Sequence, residues 1–153
     1  MSKENTPSIR LARPEDHAAW LGLWQGYQQF YKANIDDSVT AETWRRLLDA
    51  SEPMQCALAL NASGVPVGFV HWIFHRSTWT TGNYAYLQDL FVATDVRGGG
   101  HGRQLIEHVY ADAKTAGCSR VYWLTHETNT DAMKLYDRIA ERSGFVQYRH
   151  AVT

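Results

Sequence analysis

One segment in the second half of the chain has the residues that bind phosphate groups. Residues 97–102 read Arg-Gly-Gly-Gly-His-Gly, and they separate an apolar run typical of a strand from an amphipathic helical pattern. The first turn of a helix has unpaired N–H groups and a positive dipole end, and glycines let a ligand approach the backbone. Arg97 and Arg103 add guanidinium groups that can bond to phosphate. The segment predicts a cradle for a pyrophosphate, and the simpler alternative is a tight turn between strand and helix.

Two common nucleotide-binding patterns are absent from this segment. The P-loop pattern GxxxxGK, followed by Ser or Thr, needs a lysine that the segment lacks. The dinucleotide pattern GxGxxG does not fit the spacing of Gly98, Gly100 and Gly102, and no acidic residue ends the next predicted strand. The sequence therefore disfavours nucleoside triphosphates and nicotinamide dinucleotides as ligands.

The strands that position this segment are predicted from alternating apolar runs and turn residues. Residues 1 to about 8 read as a loose lead-in, and the elements that follow have the order βααβββ and then αβαβ. A strand, a helix and a further strand around the glycines predict a parallel pair joined by a right-handed crossover. The predicted strands cover residues 9–11, 56–60, 65–74, 84–92, 121–124 and 145–148.

Four amphipathic helices are predicted between these strands. Pro14 begins the first, and Thr40 is expected to cap the second. The third follows the glycines and ends near Gly117, and residues 128–130 are expected to cap the fourth. The first helix carries an aromatic stripe of Trp20, Trp24, Tyr27, Phe30 and Tyr31, expected in the core or along an amine pocket, and the fourth is predicted to bury Ala132, Leu135, Tyr136 and Ile139.

The composition predicts a single folded domain over residues 1–153. Hydrophobic residues make up 44% of the chain, which is enough for a packed core. The net charge of −1 argues against nucleic acid as a partner, and no apolar run reaches the roughly 18 residues of a membrane span.

Cys56 and Cys118 lie far apart and are expected to stay reduced, which favours the cytoplasm. Histidine pairs lack converging carboxylates or cysteines, so no metal site is predicted.

Three ordered motifs, over roughly residues 65–148, connect the chain to a known family. The pattern R-x-x-G-x-G in residues 97–102 matches one signature, and residues 87–92, LQDLFV, match a central strand. Residues 129–136, NTDAMKLY, followed by residues 143–145, SGF, match a C-terminal motif. Together they resemble the GNAT N-acetyltransferases. The aromatic stripe of the first helix adds a narrower resemblance, to the yeast histone-and-polyamine acetyltransferase-like branch and its bacterial relatives.

The resemblance implies a GNAT fold of the α/β (α+β) class, with a central mixed, mostly antiparallel sheet flanked by about four helices. Its parallel strand pair would splay around the cofactor, acetyl-CoA, and the acetyl group would pass to a primary amine by direct attack in a ternary complex. The backbone edge at residues 90–92 could pair with the pantetheine arm in β fashion. The expected cofactor-binding residues are Leu90, Phe91, Val92, Arg97, Gly98, Gly99, Gly100, His101, Gly102, Arg103, Asn129 and Tyr136.

Acetyl transfer to an amine needs an acid for the departing thiolate and a neutral attacking nitrogen. By its place in the C-terminal motif, Tyr136 is the candidate catalytic acid, since a phenol of pKa about 10 can donate to a thiolate. The alternative is that Tyr136 belongs to the core face of its helix. The base is left open between Asp89, His71, His126, Glu127 and a water relay. Asp89 is equally suited to a structural role in the central strand, facing away from Gln88.

The acceptor substrate is left open between a small amine or polyamine and a basic protein. Gln88 stands where polyamine acetyltransferases carry Glu, and Gln cannot take a proton, so polyamine specificity is not implied. The alternative function is a CoA-binding sensor or partner module without turnover. Since relatives in this family pair through their C-terminal regions, a homodimer is expected.

Overall fold

The computed structural model describes residues 8–153, which divide into two compact units. The first unit ends at Trp123, and the second comprises Leu124–Thr153. Short 3-10 turns occur at Pro14–Asp16 and Thr94–Val96. The elements are β1 (Ser8–Leu11), α1 (His17–Phe30), α2 (Asp37–Leu47), β2 (Met54–Leu60), β3 (Pro66–Arg76), β4 (Asn83–Val92), α3 (His101–Thr115), β5 (Val121–Tyr122) and, in the second unit, α4 (Thr130–Ile139).

The five strands of the first unit form one sheet in the order β1-β2-β3-β4-β5. The first four are antiparallel neighbours, and β5 lies parallel to β4. The mixed, mostly antiparallel sheet is therefore confirmed, as is the parallel pair joined through α3. The parallel pairing is short, because only Ala85 and Tyr86 of β4 face Val121 and Tyr122 of β5.

Helices α1 and α3 cover opposite faces of the sheet. Trp20 of α1 donates its indole N–H to His71 of β3, whereas the neighbouring Trp72 donates to Asp112 of α3 at 2.9 Å. Successive side chains of a strand point to opposite faces, so the two helices lie on different sides. The buried α3 residues Leu105, Ile106 and Val109 pack on the sheet, and each such burial stabilises the fold by about 1.5–3 kcal/mol.

The aromatic stripe of α1 is divided between core and surface. Trp20 and Trp24 are buried and form a cluster with Phe69 and Phe91 of the sheet, among other residues. Tyr27 is half-buried at the edge of this cluster. Phe30 and Tyr31, at the end of the helix, are exposed. The core interpretation is thus confirmed for the two tryptophans.

Three expectations about individual elements are wrong. Thr40 lies inside α2, which begins at Asp37, and its hydroxyl instead accepts the Trp24 indole N–H at 3.1 Å. Residues 145–148 form no strand, because their own unit contains no second strand to pair with. The apolar face of α4 is only half-buried, so Tyr136 is not a buried core residue of this helix. Among residues 8–153, no helix is both long and apolar enough to span a membrane.

Candidate active site

The glycine segment makes the turn from β4 into α3. Gly98 and Gly100 have φ angles of 90° and 84°, the left-handed region that favours glycine, and Gly100 is the N-cap of the 15-residue helix. The first hydrogen bond of the helix runs from the Gln104 amide to the Gly100 carbonyl at 3.0 Å. The amides that precede Gln104 therefore have no acceptor within the helix. Nδ1 of His101 is buried without a hydrogen-bond partner among the described residues. These exposed glycines and unused donors fit a bound pyrophosphate.

Arg97 and Arg103, at the two ends of the glycine segment, contact other groups of the protein in this structure. Arg97 donates from Nε to the Val92 carbonyl at 3.0 Å, and its guanidinium lies over the rings of Phe30 and Phe91. Arg103 lies 3.6 Å from the Glu107 carboxylate, one turn along α3. Both arginines are exposed. Their contact with phosphate remains a prediction.

The end of β4 offers an open backbone edge next to the cradle. The Ala93 amide donates to Val67 of β3, at 2.8 Å, and the groups of adjacent residues in a strand alternate in direction. The N–H and C=O groups of Val92 and Leu90 therefore point away from β3. On that side, pairing with β5 ends at Tyr86. Leu90 and Val92 can thus pair with an extended ligand, and Arg97 takes up one Val92 acceptor position.

A bulge interrupts β4 where this open edge begins. His71 of β3 faces Asp89 and Trp72 faces Leu87, so Gln88 is the extra residue of β4. Gln88 is exposed, whereas Asp89 is buried with 9% of its surface accessible. The bulge means that strict alternation does not explain the difference. It places the Asp89 carboxyl under α1, beside the open edge.

Asp89 is the centre of a buried chain of hydrogen bonds. Its Oδ1 accepts the Tyr27 hydroxyl at 2.6 Å, and its Oδ2 lies 2.9 Å from Nδ1 of His71. Nε2 of His71 lies 3.0 Å from the Trp20 indole nitrogen. The chain therefore runs from Trp20 through His71 and Asp89 to Tyr27.

The Trp20 contact determines which nitrogen of His71 carries a proton. An indole N–H can only donate, so Nε2 of His71 must accept and is unprotonated. The proton of the neutral ring is then on Nδ1, which donates to Asp89. With Nε2 occupied in this way, His71 is unsuited to the role of base that the sequence left open for it. It positions Asp89 instead.

The pKa values of the groups near this chain of hydrogen bonds depend on burial and on the charge of Asp89. Burial, followed by the charge of Asp89, raises the pKa of Tyr27, so its hydroxyl stays protonated. The same two causes raise the pKa of Tyr31. Burial raises the pKa of Cys56, and the pKa of Cys118 is raised in the same way. Both thiols are therefore neutral at pH 7. Because the thiolate is the reactive form, neither cysteine is suited to act as a nucleophile.

The predicted site residues of the second unit lie at the start and middle of α4. Asn129 is the N-cap, and its side-chain amide donates to the Thr125 hydroxyl at 3.1 Å. Tyr136 is half-buried two turns further along. His126 and Glu127 precede the helix and are exposed, and Nδ1 of His126 contacts the Thr128 hydroxyl at 2.7 Å.

The sequence did not predict the hydrogen-bonding roles of two members of this chain of hydrogen bonds, Trp20 and Tyr27. Trp20 and Tyr27 read as members of an aromatic stripe, and only the fold shows which polar atoms they meet. The sequence does indicate their bonding partners, because His71 and Asp89 are polar residues inside strongly apolar strands. Such residues need buried partners, and the ring N–H and hydroxyl of a facing aromatic helix are suitable ones.

Comparisons with known proteins identify the family of this chain. The family model described as the Acetyltransferase (GNAT) family matches residues 17–140. A D-amino-acid N-acetyltransferase of Saccharomyces cerevisiae is 34% identical over 142 residues, covering 92% of this chain and 88% of the relative. A thialysine N-epsilon-acetyltransferase of Mus musculus is 33% identical over 154 residues, covering 92% and 90% of the two chains.

Solved structures show the same fold. AAC(6')-Iy in complex with the bisubstrate analogue CoA-S-monomethyl-acetylneamine superposes with a TM-score of 0.80 at 22% identity, covering 96% of this chain and 99% of that one. A ribosomal-protein-alanine N-acetyltransferase from Brucella melitensis gives a TM-score of 0.77 at 23% identity, covering 96% and 100%. At this identity the likeness concerns the fold. Together, the family model, the relatives and the shared fold show that the chain belongs to the GNAT family of acetyl-CoA-dependent N-acetyltransferases.

Proposed function

We propose that this enzyme acetylates the primary amine of a small polar molecule, by direct attack of the amine on acetyl-CoA in a ternary complex. The observation that carries the proposal is the buried Asp89 carboxyl at the end of the open edge that leads from the glycine cradle. A cosubstrate held by its phosphates at the cradle and by its arm along Leu90–Val92 has its thioester end towards Asp89. A carboxylate there suits an amine that arrives as an ammonium ion.

The names of the relatives support an amino-acid-like acceptor. The yeast relative is named for D-amino acids and the mouse relative for thialysine, and both names describe a primary amine on a small molecule that also carries a carboxylate. An aminoglycoside N(6')-acetyltransferase of Stenotrophomonas maltophilia is also 33% identical over 122 residues, covering 74% of this chain and 72% of that one. The exposed Gln88, in the place of a Glu, supports these amines over polyamines.

The residues divide the chemistry as follows. The amine lone pair forms the new C–N bond at the thioester carbonyl, the C–S bond breaks, and the thiolate takes a proton from the Tyr136 phenol. Residues 97–103 hold the pyrophosphate, Leu90–Val92 pair with the arm, and Asn129 contacts it. What supports the cradle is its pair of positive-φ glycines and its free helix N-terminus.

The test is an amine panel with acetyl-CoA and detection of the released thiol. We expect turnover with D-amino acids or thialysine, weaker turnover with an aminoglycoside, and the least with spermidine or a lysine-containing peptide. Turnover with the peptide alone would replace the small-molecule acceptor by a basic protein. Tight binding of acetyl-CoA with no turnover on any amine would instead make the chain a CoA-binding module.

We also infer that the enzyme is a homodimer. The support is the C-terminal end of the second unit, where Phe145, Val146, Tyr148 and Val152 have between 77% and 93% of their surface exposed. Several large apolar residues this exposed within eight positions of the chain are typical of a contact surface. Val146 and Tyr148 alternate with the polar Gln147, as in a strand without a partner in its own unit, and a second copy would supply one.

A further inference from the structure

We propose that Tyr27 and Asp89 form the path by which the amine loses its proton, with His71 and Trp20 as positioning residues. This inference rests on the proposed acetylation of an amine, and it identifies the groups that accept the proton. The base that the sequence left open is then Asp89, reached through the Tyr27 hydroxyl. The argument has four parts: the charge of Asp89, its location, the proton transfer and the surrounding groups.

The Asp89 carboxylate is a buried charge without a cation. Among the described residues, its one ion-pair contact is with His71, and the Trp20 bond keeps that ring neutral. Tyr27 and His71 satisfy one lone pair on each oxygen. A buried charge that lacks a counter-ion is costly, and it is relieved by a nearby cation or by a proton. An ammonium substrate brings both.

The location of the pair suits the reacting nitrogen. Asp89 follows the bulge at Gln88, directly before the edge at Leu90–Val92 where the pantetheine arm would pair. Asp89 itself is almost fully buried, whereas Tyr27 is only half-buried on α1. A substrate amine can therefore reach the Tyr27 oxygen while the carboxyl behind it stays shielded from water.

The proton transfer is balanced without any further reactant. The ammonium N–H bond breaks as its proton bonds to the Tyr27 oxygen, and the original hydroxyl proton moves along the 2.6 Å hydrogen bond to Asp89 Oδ1. The products are a neutral amine, an intact phenol and a carboxylic acid. Tyr27 never becomes a phenolate, in line with its raised pKa. After each turnover the proton leaves Asp89 by the reverse path, through the Tyr27 hydroxyl to solvent.

Several titratable groups face Asp89, and their states are compatible with this path. His71 stays neutral because of the Trp20 bond. Tyr27 and Tyr31 on α1 have raised pKa values and stay protonated. Cys56 on β2, whose pKa the Asp89 charge helps to raise, stays a thiol. Asp89 is then the group among them whose hydrogen bond to Tyr27 places it to receive a proton.

The decisive experiment measures kcat/KM against pH for Tyr27→Phe, with two amines of different basicity. For an alkyl amine of pKa about 10, we expect a loss of about 10²-fold at pH 7 that shrinks as the pH rises. For an amino-acid amide, whose α-amino group has a pKa of about 8, the loss should fall to a few-fold by pH 8.5, because most of that amine is neutral without help. Asp89→Asn should show the same dependence on amine and pH.

Matched variants separate proton transfer from packing. Tyr122→Phe removes another 2.6 Å hydroxyl bond, to His75, outside the proposed path, and its profile should follow the wild type. His71→Leu should behave like Asp89→Asn, whereas His71→Asn, which keeps a donor for Asp89, should restore part of the rate. Binding of acetyl-CoA, followed by thermal shift, should be retained in all of them and reports that they fold.

Two results would overturn the inference in distinguishable ways. If Tyr27→Phe lowers kcat/KM by one factor for both amines at every pH, the cluster has a structural role and the proton leaves by another route. The proposed acetylation would stand in that case. If the wild-type enzyme turns over no amine, the proposed function fails and this inference fails with it.

Discussion

The Asp89 carboxyl shows how a small number of hydrogen bonds can keep a charge inside a protein. Hydrogen bonds to charged groups contribute about 1.5–3 kcal/mol each, and Asp89 accepts one from Tyr27 and one from His71. His71 can donate because Trp20 fixes its tautomer. Three residues from two other elements, α1 and β3, are thus ordered around one carboxyl. Such an arrangement is expensive for stability alone and is typical of a functional site.

The residue that most directly tests the chemistry is Tyr136. We expect Tyr136→Phe to keep acetyl-CoA binding and to lower kcat by about 10²–10⁴-fold, the usual cost of losing a general acid. The change removes one hydroxyl and keeps the ring of a half-buried side chain, so the packing of α4 should survive. The effect should fall on kcat, because the thiolate forms only as the C–S bond breaks.

The measurement is steady-state kinetics with the best amine of the panel, together with a pre-steady-state check that chemistry limits the rate. Tyr148→Phe is the matched control, since it also removes a tyrosine hydroxyl from the second unit, at a position with 93% of its surface exposed. Wild-type rates in Tyr136→Phe would make water the proton donor to the thiolate.

At the scale of elements, the turn between β4 and α3 is the proposed binding site for the phosphates of the cosubstrate. We expect Gly100→Glu to abolish stabilisation by acetyl-CoA, since it places bulk and negative charge at the N-cap of α3. In the wild type, ligand at a hundred times its Kd stabilises by about 2.7 kcal/mol, which raises Tm by roughly 5–10 °C for a chain of this size.

Gly64→Glu is the matched control for that experiment. Gly64 also has a positive φ, 79°, and also has open space where a Cβ would lie, but it belongs to the turn between β2 and β3. Both variants carry the same backbone strain, so both should lose some stability without ligand. An acetyl-CoA shift that persists in Gly100→Glu would place the cosubstrate away from this turn.

The elements around this turn were predictable from the sequence because their signals are local. The glycines and the apolar periods of β3, β4 and α3 each determine one element, and the crossover rule then gives the parallel pair. The Trp20–His71–Asp89–Tyr27 chain was not predictable, because its members come from α1, β3 and β4 and meet only through the bulge at Gln88. Residues 145–148 show the reverse case, since their period is that of a strand but a strand also needs a partner.

At the scale of the whole molecule, the proposed homodimer depends on the C-terminal end of the second unit. Phe145 and Tyr148 expose 88% and 93% of their surfaces, and the main-chain groups of residues 141–153 make no hydrogen bond to the main chain of any residue that the structure describes. Unpaired strand-like backbone with apolar side chains readily pairs with another chain. A homodimer would satisfy both the backbone and the side chains.

We therefore expect light scattering at micromolar concentration to give twice the mass of the 17.4 kDa chain, with and without CoA. The double variant Phe145→Lys/Tyr148→Lys should be monomeric, because two charges on a strand edge oppose pairing and remove the apolar contact. Trp79→Lys is the control, since Trp79 is also a large, highly exposed apolar residue, with 79% of its surface accessible, in the loop between β3 and β4. It should leave the dimer intact. A wild-type enzyme that is monomeric under both conditions would contradict the homodimer, and dissociation by Trp79→Lys alone would move the interface to that loop.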